Sequence, residues 1–284
     1  MLSQDLRSRL SALWRGQPSA VSRHPAADHG LAAAGSEWVG CFPEAVPRQT
    51  DRGELLVCDV ALRDIRWAAQ RMTERYLAAF ERAAHLAASG SLPPHLEPLA
   101  SATPESAALI DTETAGFYGR PLFLVGTATY SAGDIRLTQY FAADYGQEAA
   151  VLSELARLLD GVALLISFNG KAFDWPFVRD RMVYHRLTCQ ASFRHLDLLH
   201  LSRRRWRSRL PDCKLRTLER YLCGRCRSGD IRSDEIPQRY HEFVRWQDPR
   251  LIAPVFHHNR LDIITMIELL PALLGVAETA MEGA

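Results

Sequence analysis

Ala108-Leu109-Ile110-Asp111-Thr112-Glu113-Thr114-Ala115-Gly116 is the stretch whose reading decides the fold. An apolar run leads straight into two acids one residue apart. Side chains alternate faces along a β-strand, so Asp111 and Glu113 project together from the end of a strand over Ala108–Asp111. Two carboxylates that close repel and raise each other's pKa unless a cation offsets them. Hard divalent ions such as Mg²⁺ take oxygen ligands of this kind.

Working downstream, Leu122–Tyr130 and Ile135–Phe141 read as strands. The link Ser131-Ala132-Gly133-Asp134 is short enough to make them a hairpin. Gln147–Leu159 has Val151, Leu155 and Leu158 at helical spacing, and Ala163–Phe168 is an apolar run of strand length. Trp175-Pro176 suits the first turn of a helix. Leu215–Leu222 and Arg260–Leu274 read as further helices. Strands first, then helix and strand alternating, predict an α/β layered domain with a mixed sheet flanked by helices.

Upstream the pattern is looser. Residues 1–20 carry one amphipathic pattern, and 18–50 are rich in Ala, Gly, Pro and Ser, as in a connector. Glu54–Val60 reads as a strand, Arg66–Ala88 as a helix, and Gly90–Pro98 as a second connector. The expected division is therefore 1–104, a partly helical extension with flexible connectors, and 105–278, the organised domain.

The 284 residues are 47% hydrophobic and 24% charged, which is ordinary globular material, and the net charge of +1 demands no anionic partner. The distribution is uneven. Between Arg179 and Arg227 there are fourteen Lys and Arg against four acids. No apolar stretch is long enough to span a bilayer and no secretory signal is visible, so a cytoplasmic protein with reduced thiols and no membrane partner is expected.

Two further segments carry chemistry. Ser167-Phe168-Asn169-Gly170-Lys171-Ala172-Phe173-Asp174 follows a strand, and open α/β sheets place their sites beyond the carboxyl ends of strands. Phe256-His257-His258-Asn259-Arg260-Leu261-Asp262 puts Asp262 in the expected first turn of a helix, just after two imidazoles. Taken singly, Asp174 reads equally as a helix cap and Asp262 as a first-turn acid.

In this order, D-x-E, N-x₃-F-D and H-x₄-D resemble the DEDD 3′→5′ exonucleases of the ribonuclease H-like superfamily. The YprB-like branch is the most similar in Phe168–Asp174, Cys213-Lys214-Leu215, Ile236-Pro237 and His258–Ile263. The resemblance implies a ribonuclease H-like fold and phosphodiester hydrolysis with two Mg²⁺ or Mn²⁺ ions. It implies that Asp111, Glu113, Asp174 and Asp262 are the ligands. The implied partner is nucleic acid with a free 3′ end, single-stranded. His257, by its five-residue spacing to Asp262, is favoured as the base, with His258 close behind. Thr112, Thr114 and Asn169 are expected to touch substrate. The alternative is a nucleic-acid-binding module of the same fold without turnover.

Arg203-Arg204-Arg205-Trp206-Arg207 is expected to help bind substrate, with arginines on phosphates and Trp206 stacked on a base. The other reading is a solvated loop. Cys223-Gly224-Arg225-Cys226 is a C-x-x-C pair, but a structural zinc site needs four ligands and the remaining candidates are irregularly spaced. Asp197 is expected to support the site or cap a helix. Phe117 and Phe123 read as core.

Overall fold

The computed structural model describes residues 41–42, 44–65, 69–116 and 119–276. The expected helix within residues 1–20, most of the first connector and Phe117 lie outside them. Its strands are β1 (Ala45–Thr50), β2 (Gly53–Ala61), β3 (Ala107–Thr114), β4 (Leu122–Ser131), β5 (Asp134–Phe141), β6 (Leu164–Ser167) and β7 (Arg194–Asp197). They form one sheet in the order β1-β2-β5-β4-β3-β6-β7. β1 through β5 pair antiparallel, whereas β6 and β7 run parallel to β3. This is the mixed sheet expected.

The principal helices are α1 (Ala69–Ala88), α2 (Glu148–Leu159), α3 (Asp174–Tyr184), α4 (Leu198–Trp206), α5 (Leu215–Leu222), α6 (Ile236–Trp246) and α7 (Pro249–Leu273). α1 buries Met72, Tyr76, Ala79, Phe80 and Ala83, spaced three or four residues apart, in a core shared with Leu109, Leu137, Ile166, Ile263 and Ile267. Further along the same face of the sheet, where Phe141 follows Leu137 by four residues on β5, lies an aromatic cluster in which Phe123 stacks on Tyr240 at 3.9 Å, and Phe141 packs against Phe243 and Phe256. Phe123 is thus core, as expected.

Three local expectations change. Residues 45–50, read as connector, form edge strand β1, where Pro47 is tolerated because an edge strand needs only half its backbone bonds. The Gly90–Pro98 connector contains a 3₁₀ turn over Pro94–Leu96 and leads into a single helical turn at Glu97–Ala100. The last helix begins well upstream of Arg260, at Pro249, where Asp248 caps it by accepting from the Arg250 N–H at 3.0 Å. Asp262 therefore sits in mid-helix rather than in a first turn, and the helix dipole does not reach it. The described residues belong to one unit, Gly35–Ala284, and strands from either side of residue 104 share its sheet.

Candidate active site

β3 is central, and its two halves differ. Ala108 and Leu109 pair with β4 on one side and β6 on the other, and are buried. Beyond Leu109 the pairing with β6 stops, so Asp111–Thr114 continue as strand with one edge open. That open edge is used at once. The Thr112 N–H and hydroxyl both donate to Asp174 Oδ1, at 3.2 and 2.6 Å. Thr112, expected to touch substrate, here fixes a carboxylate. Thr114 donates to the Gly116 carbonyl at 2.9 Å, which shapes the turn.

Asp174 is brought there by the turn after β6. Asn169 takes a left-handed conformation, φ 66°. Its N–H and that of Lys171 donate to Asp197, at 2.9 and 3.1 Å, and Asp197 also caps α4 through Leu199 N–H at 3.0 Å. Asp197 thus both supports the site and caps a helix. At Gly170 a Cβ would stand 2.4 Å from Ser167 Oγ and 3.1 Å from Asp174 Oδ2, so only glycine lets the turn close. α3 opens on Asp174 itself and its cap residue is Phe173, which excludes the cap reading of Asp174.

The other wall is α7. Asn259, fully buried, donates from Nδ2 to Asp111 Oδ2 at 2.8 Å and to the Asp111 carbonyl at 3.3 Å. Its Oδ1 accepts from Gln139 Nε2 at 2.9 Å. The residue opposite Asp111 on β4 is Gly126, where a Cβ would lie 2.1 Å from Asn259 Oδ1. The helix reaches the strand only because Gly126 has no side chain.

The four acids interact across this cleft. Burial, then the charges of Asp262, Glu113 and Asp174, push the Asp111 carboxyl well above its usual range; the Asn259 bond works against this. Glu113 is raised by burial and by Asp262, Asp174 and Asp230. Burial lifts Asp174 to about 6, opposed by the Thr112 bonds. Negative charge without enough positive charge to offset it is what a hard cation relieves, and the donors are all carboxylate oxygens, so this set fits Mg²⁺ or Mn²⁺. Among the described residues no group of three or more His, Cys, Asp or Glu is drawn tightly enough to hold a metal ion. The side chains are turned to protein partners instead: Asp174 to Thr112, Asp111 to Asn259 and Asp262 to Arg227.

The two histidines separate. At about 100° per residue, His258 lies ~40° from Asp262 around the helix and His257 ~140° away. His258 is buried, with Nε2 3.6 Å from Asp262 Oδ2, whereas His257 is exposed. The structure brings His258 to Asp262 and leaves His257, the residue favoured on spacing, on another face.

Two further residues complete the wall. Asp230 accepts from His258 Nδ1, 3.0 Å from each oxygen. A carboxylate only accepts, so the proton sits on Nδ1 and Nε2 faces the cleft. Burial raises Asp230, but Arg216, His258 and Arg227 outweigh it and hold the carboxyl below its ordinary value. Arg227, with its side chain 3% exposed, lies 2.5 Å from Asp262 Oδ1, 2.5 Å from Glu219 Oε2 and 3.2 Å from Asp230 Oδ2. Both residues occupy the irregular segment after α5, and no local sequence pattern marks them.

A cavity of about 500 Å³ opens over this wall, lined by Phe168, Asn169, Arg203, Arg216, His258 and Asp262 among others. Asn169 and Arg203 do reach the site. Trp206 does not: it is buried with Leu198, Leu201 and Ser202 on the inner face of α4. Arg205 does not line this cavity but a neighbouring one, with Arg204, Leu86 and Leu273. Of the C-x-x-C pair, Cys226 is exposed, and burial pushes the half-buried Cys223 thiol up to about 12.

A model of the RNase_H superfamily matches residues 108–274, more than half the chain and every motif above. The chain belongs to the RNase_H superfamily. Members of the superfamily are commonly nucleases, and such nucleases typically use divalent metals. This RNase H-like chain is 34% identical over 164 residues to the uncharacterized protein YprB of Bacillus subtilis (strain 168). The match takes in 56% of this chain and 40% of that protein, so the chain spans well under half of its relative's length. Among solved structures, the family B DNA polymerase from the hyperthermophilic archaeon Pyrobaculum calidifontis is similar at 14% identity and a TM-score of 0.49. That match covers 59% of this chain and 24% of the polymerase. No helix among the described residues is long and apolar enough to cross a membrane.

Proposed function

We propose that the chain is a divalent-metal-dependent 3′→5′ exonuclease acting on single-stranded nucleic acid. The observation that carries this reading is the convergence of Asp111, Glu113 and Asp174, from β3 and the start of α3, with Asp262 of α7 in the same cleft, where burial and neighbouring carboxylates hold Asp111 and Glu113 above their ordinary values. Carboxylates gathered in a cleft with raised pKa values are characteristic of functional sites. Two ions, Mg²⁺ or Mn²⁺, held by Asp111, Glu113, Asp174 and Asp262, would supply Lewis-acid stabilisation of the phosphoryl oxygens.

The chain's own residues do the rest. His258 Nε2, facing the cleft, accepts the proton of the attacking water, and Asp230 stabilises the imidazolium that forms. Asn259 orients Asp111 and Thr112 orients Asp174, each through one carboxylate oxygen. Arg203, at the rim, fits a substrate phosphate.

A second reading, a binding module without turnover, is favoured by the Arg227–Asp262 pair, since a guanidinium there competes with a metal ion for the carboxylate. A 3′-labelled single strand incubated with Mn²⁺, and separately with EDTA, decides between them. The exonuclease reading expects mononucleotide release with Mn²⁺ only, abolished in Asp111→Asn while strand binding survives. Binding without release would leave the module. Cleavage that persists in Asp111→Asn would place the chemistry elsewhere.

A further inference from the structure

His200, Arg203, Arg204 and Arg207 stand at i, i+3, i+4 and i+7 along α4 and its C-cap, so they form one stripe on the helix surface. All but Arg203, which also rims the carboxylate cleft, lie outside the site described above. The stripe lines a second cavity of about 580 Å³, together with His95 and Ser208 and with no acid. Arg203 is therefore the seam between the two spaces.

Among the described residues none of these three arginines has a carboxylate partner, although the protein pairs many of its others. His200 comes within 4.0 Å of Asp197, which is itself buried and committed to three backbone N–H groups. A helix C-terminus welcomes cations, but its dipole amounts to only about half a negative charge. Three guanidinium groups exceed that, and like charges at i, i+4 spacing destabilise a helix. The Arg204 charge already reaches across the groove: burial, then Arg204, lowers the His95 pKa. The stripe is thus an intrinsic cost to the fold that a bound polyanion would remove.

We propose that this groove is a phosphate track for the polynucleotide strand, carrying the nucleotides on the 5′ side of the end held in the carboxylate cleft. The proposal rests on the exonuclease reading for the strand's direction, while the groove's affinity for phosphates does not. Continuity through Arg203 selects a polynucleotide over a separate small anion, because one strand can engage both spaces. Trp206, buried on the inner face of the helix, takes no part.

The test is binding of 5′-fluorescent oligonucleotides to the full chain in EDTA, where no turnover is needed. A dodecanucleotide and a trinucleotide are compared on the wild type, on Arg204→Gln/Arg207→Gln, and on Arg209→Gln, an exposed neighbour outside the groove. The double variant is expected to lose about tenfold in affinity for the dodecanucleotide, and its slope of log affinity against log salt to fall by about 1.4, or 0.7 per phosphate contact. The trinucleotide is expected to lose much less, and Arg209→Gln to resemble the wild type. Equal losses for both lengths, or none, overturn the track. So does inorganic polyphosphate of matched charge competing as well as the dodecanucleotide. Length-dependent loss in a protein that never cleaves would keep the track and sink the exonuclease, and cleavage without length dependence would do the reverse.

Discussion

At the scale of single residues, two of the site's carboxylates are held by specific neighbours, Asp111 by Asn259 and Asp174 by Thr112. Asp174 shows the energetic consequence. Its carboxyl has an ordinary value of 3.8 and is lifted to about 6 by burial. The folded state therefore binds more protons than the unfolded state across that interval. Its contribution to stability is complete below about pH 4 and is lost as pH rises through about 6. For the metal-free protein, the predicted fall between those limits is on the order of 2 kcal/mol, measured by urea denaturation in EDTA. Asp111 and Glu113 shift the same way and add to it. Mn²⁺ is expected to flatten the profile, since it binds the ionised folded state. A stability curve that rises over this range in EDTA would contradict the assignment. Asp230 tests the base: Asp230→Asn is expected to lower single-turnover cleavage about 10–100-fold, as loss of an orienting partner does. An unchanged rate with saturating substrate would free His258 from that partner.

At the scale of elements, the decisive contact is α7 laid against β4. Register places Gly126 opposite Asp111, and Asn259 fills the space that a side chain at Gly126 would take. Gly126→Ala is expected to push Asn259 off Asp111, destabilise the fold by about 1–3 kcal/mol through overpacking, and reduce cleavage at temperatures where the variant is folded. Thermal melting and initial rates on one preparation check both effects. A variant as stable and as active as wild type would mean that the helix does not need this close approach. The same element separates the two histidines that the spacing offered. α7 is continuous through both imidazoles, so helical geometry separates His257 from Asp262 and aligns His258 with it.

At the scale of the whole molecule, the superfamily match begins at residue 108, yet the sheet does not. β2 covers the outer edge of β5, β1 covers β2, and α1 supplies Tyr76 and Phe80 to the core beside α7. A fragment limited to 105–278 would expose the β5 edge and the apolar surface under α1. It is expected to aggregate or to melt well below a fragment covering 35–284. Sedimentation and thermal unfolding of the two distinguish these outcomes, and a monomeric, equally stable 105–278 fragment would make the first hundred residues dispensable to the fold.

The sequence by itself determined the chemistry on offer and most of the elements that present it. The alternation at Asp111 and Glu113, the turn before Asp174 and the helical spacing through Asp262 are local patterns, written within a few residues of each acid. Only the tertiary structure decided who holds whom. Asn259 reaches Asp111 across 148 positions, Asp230 meets His258 from an irregular segment, and Trp206 turns inward because the packed face of α4 claims it. Those choices rest on how helix and sheet surfaces interlock, and packing of that kind joins residues remote in the chain, leaving no periodicity for a linear reading to find.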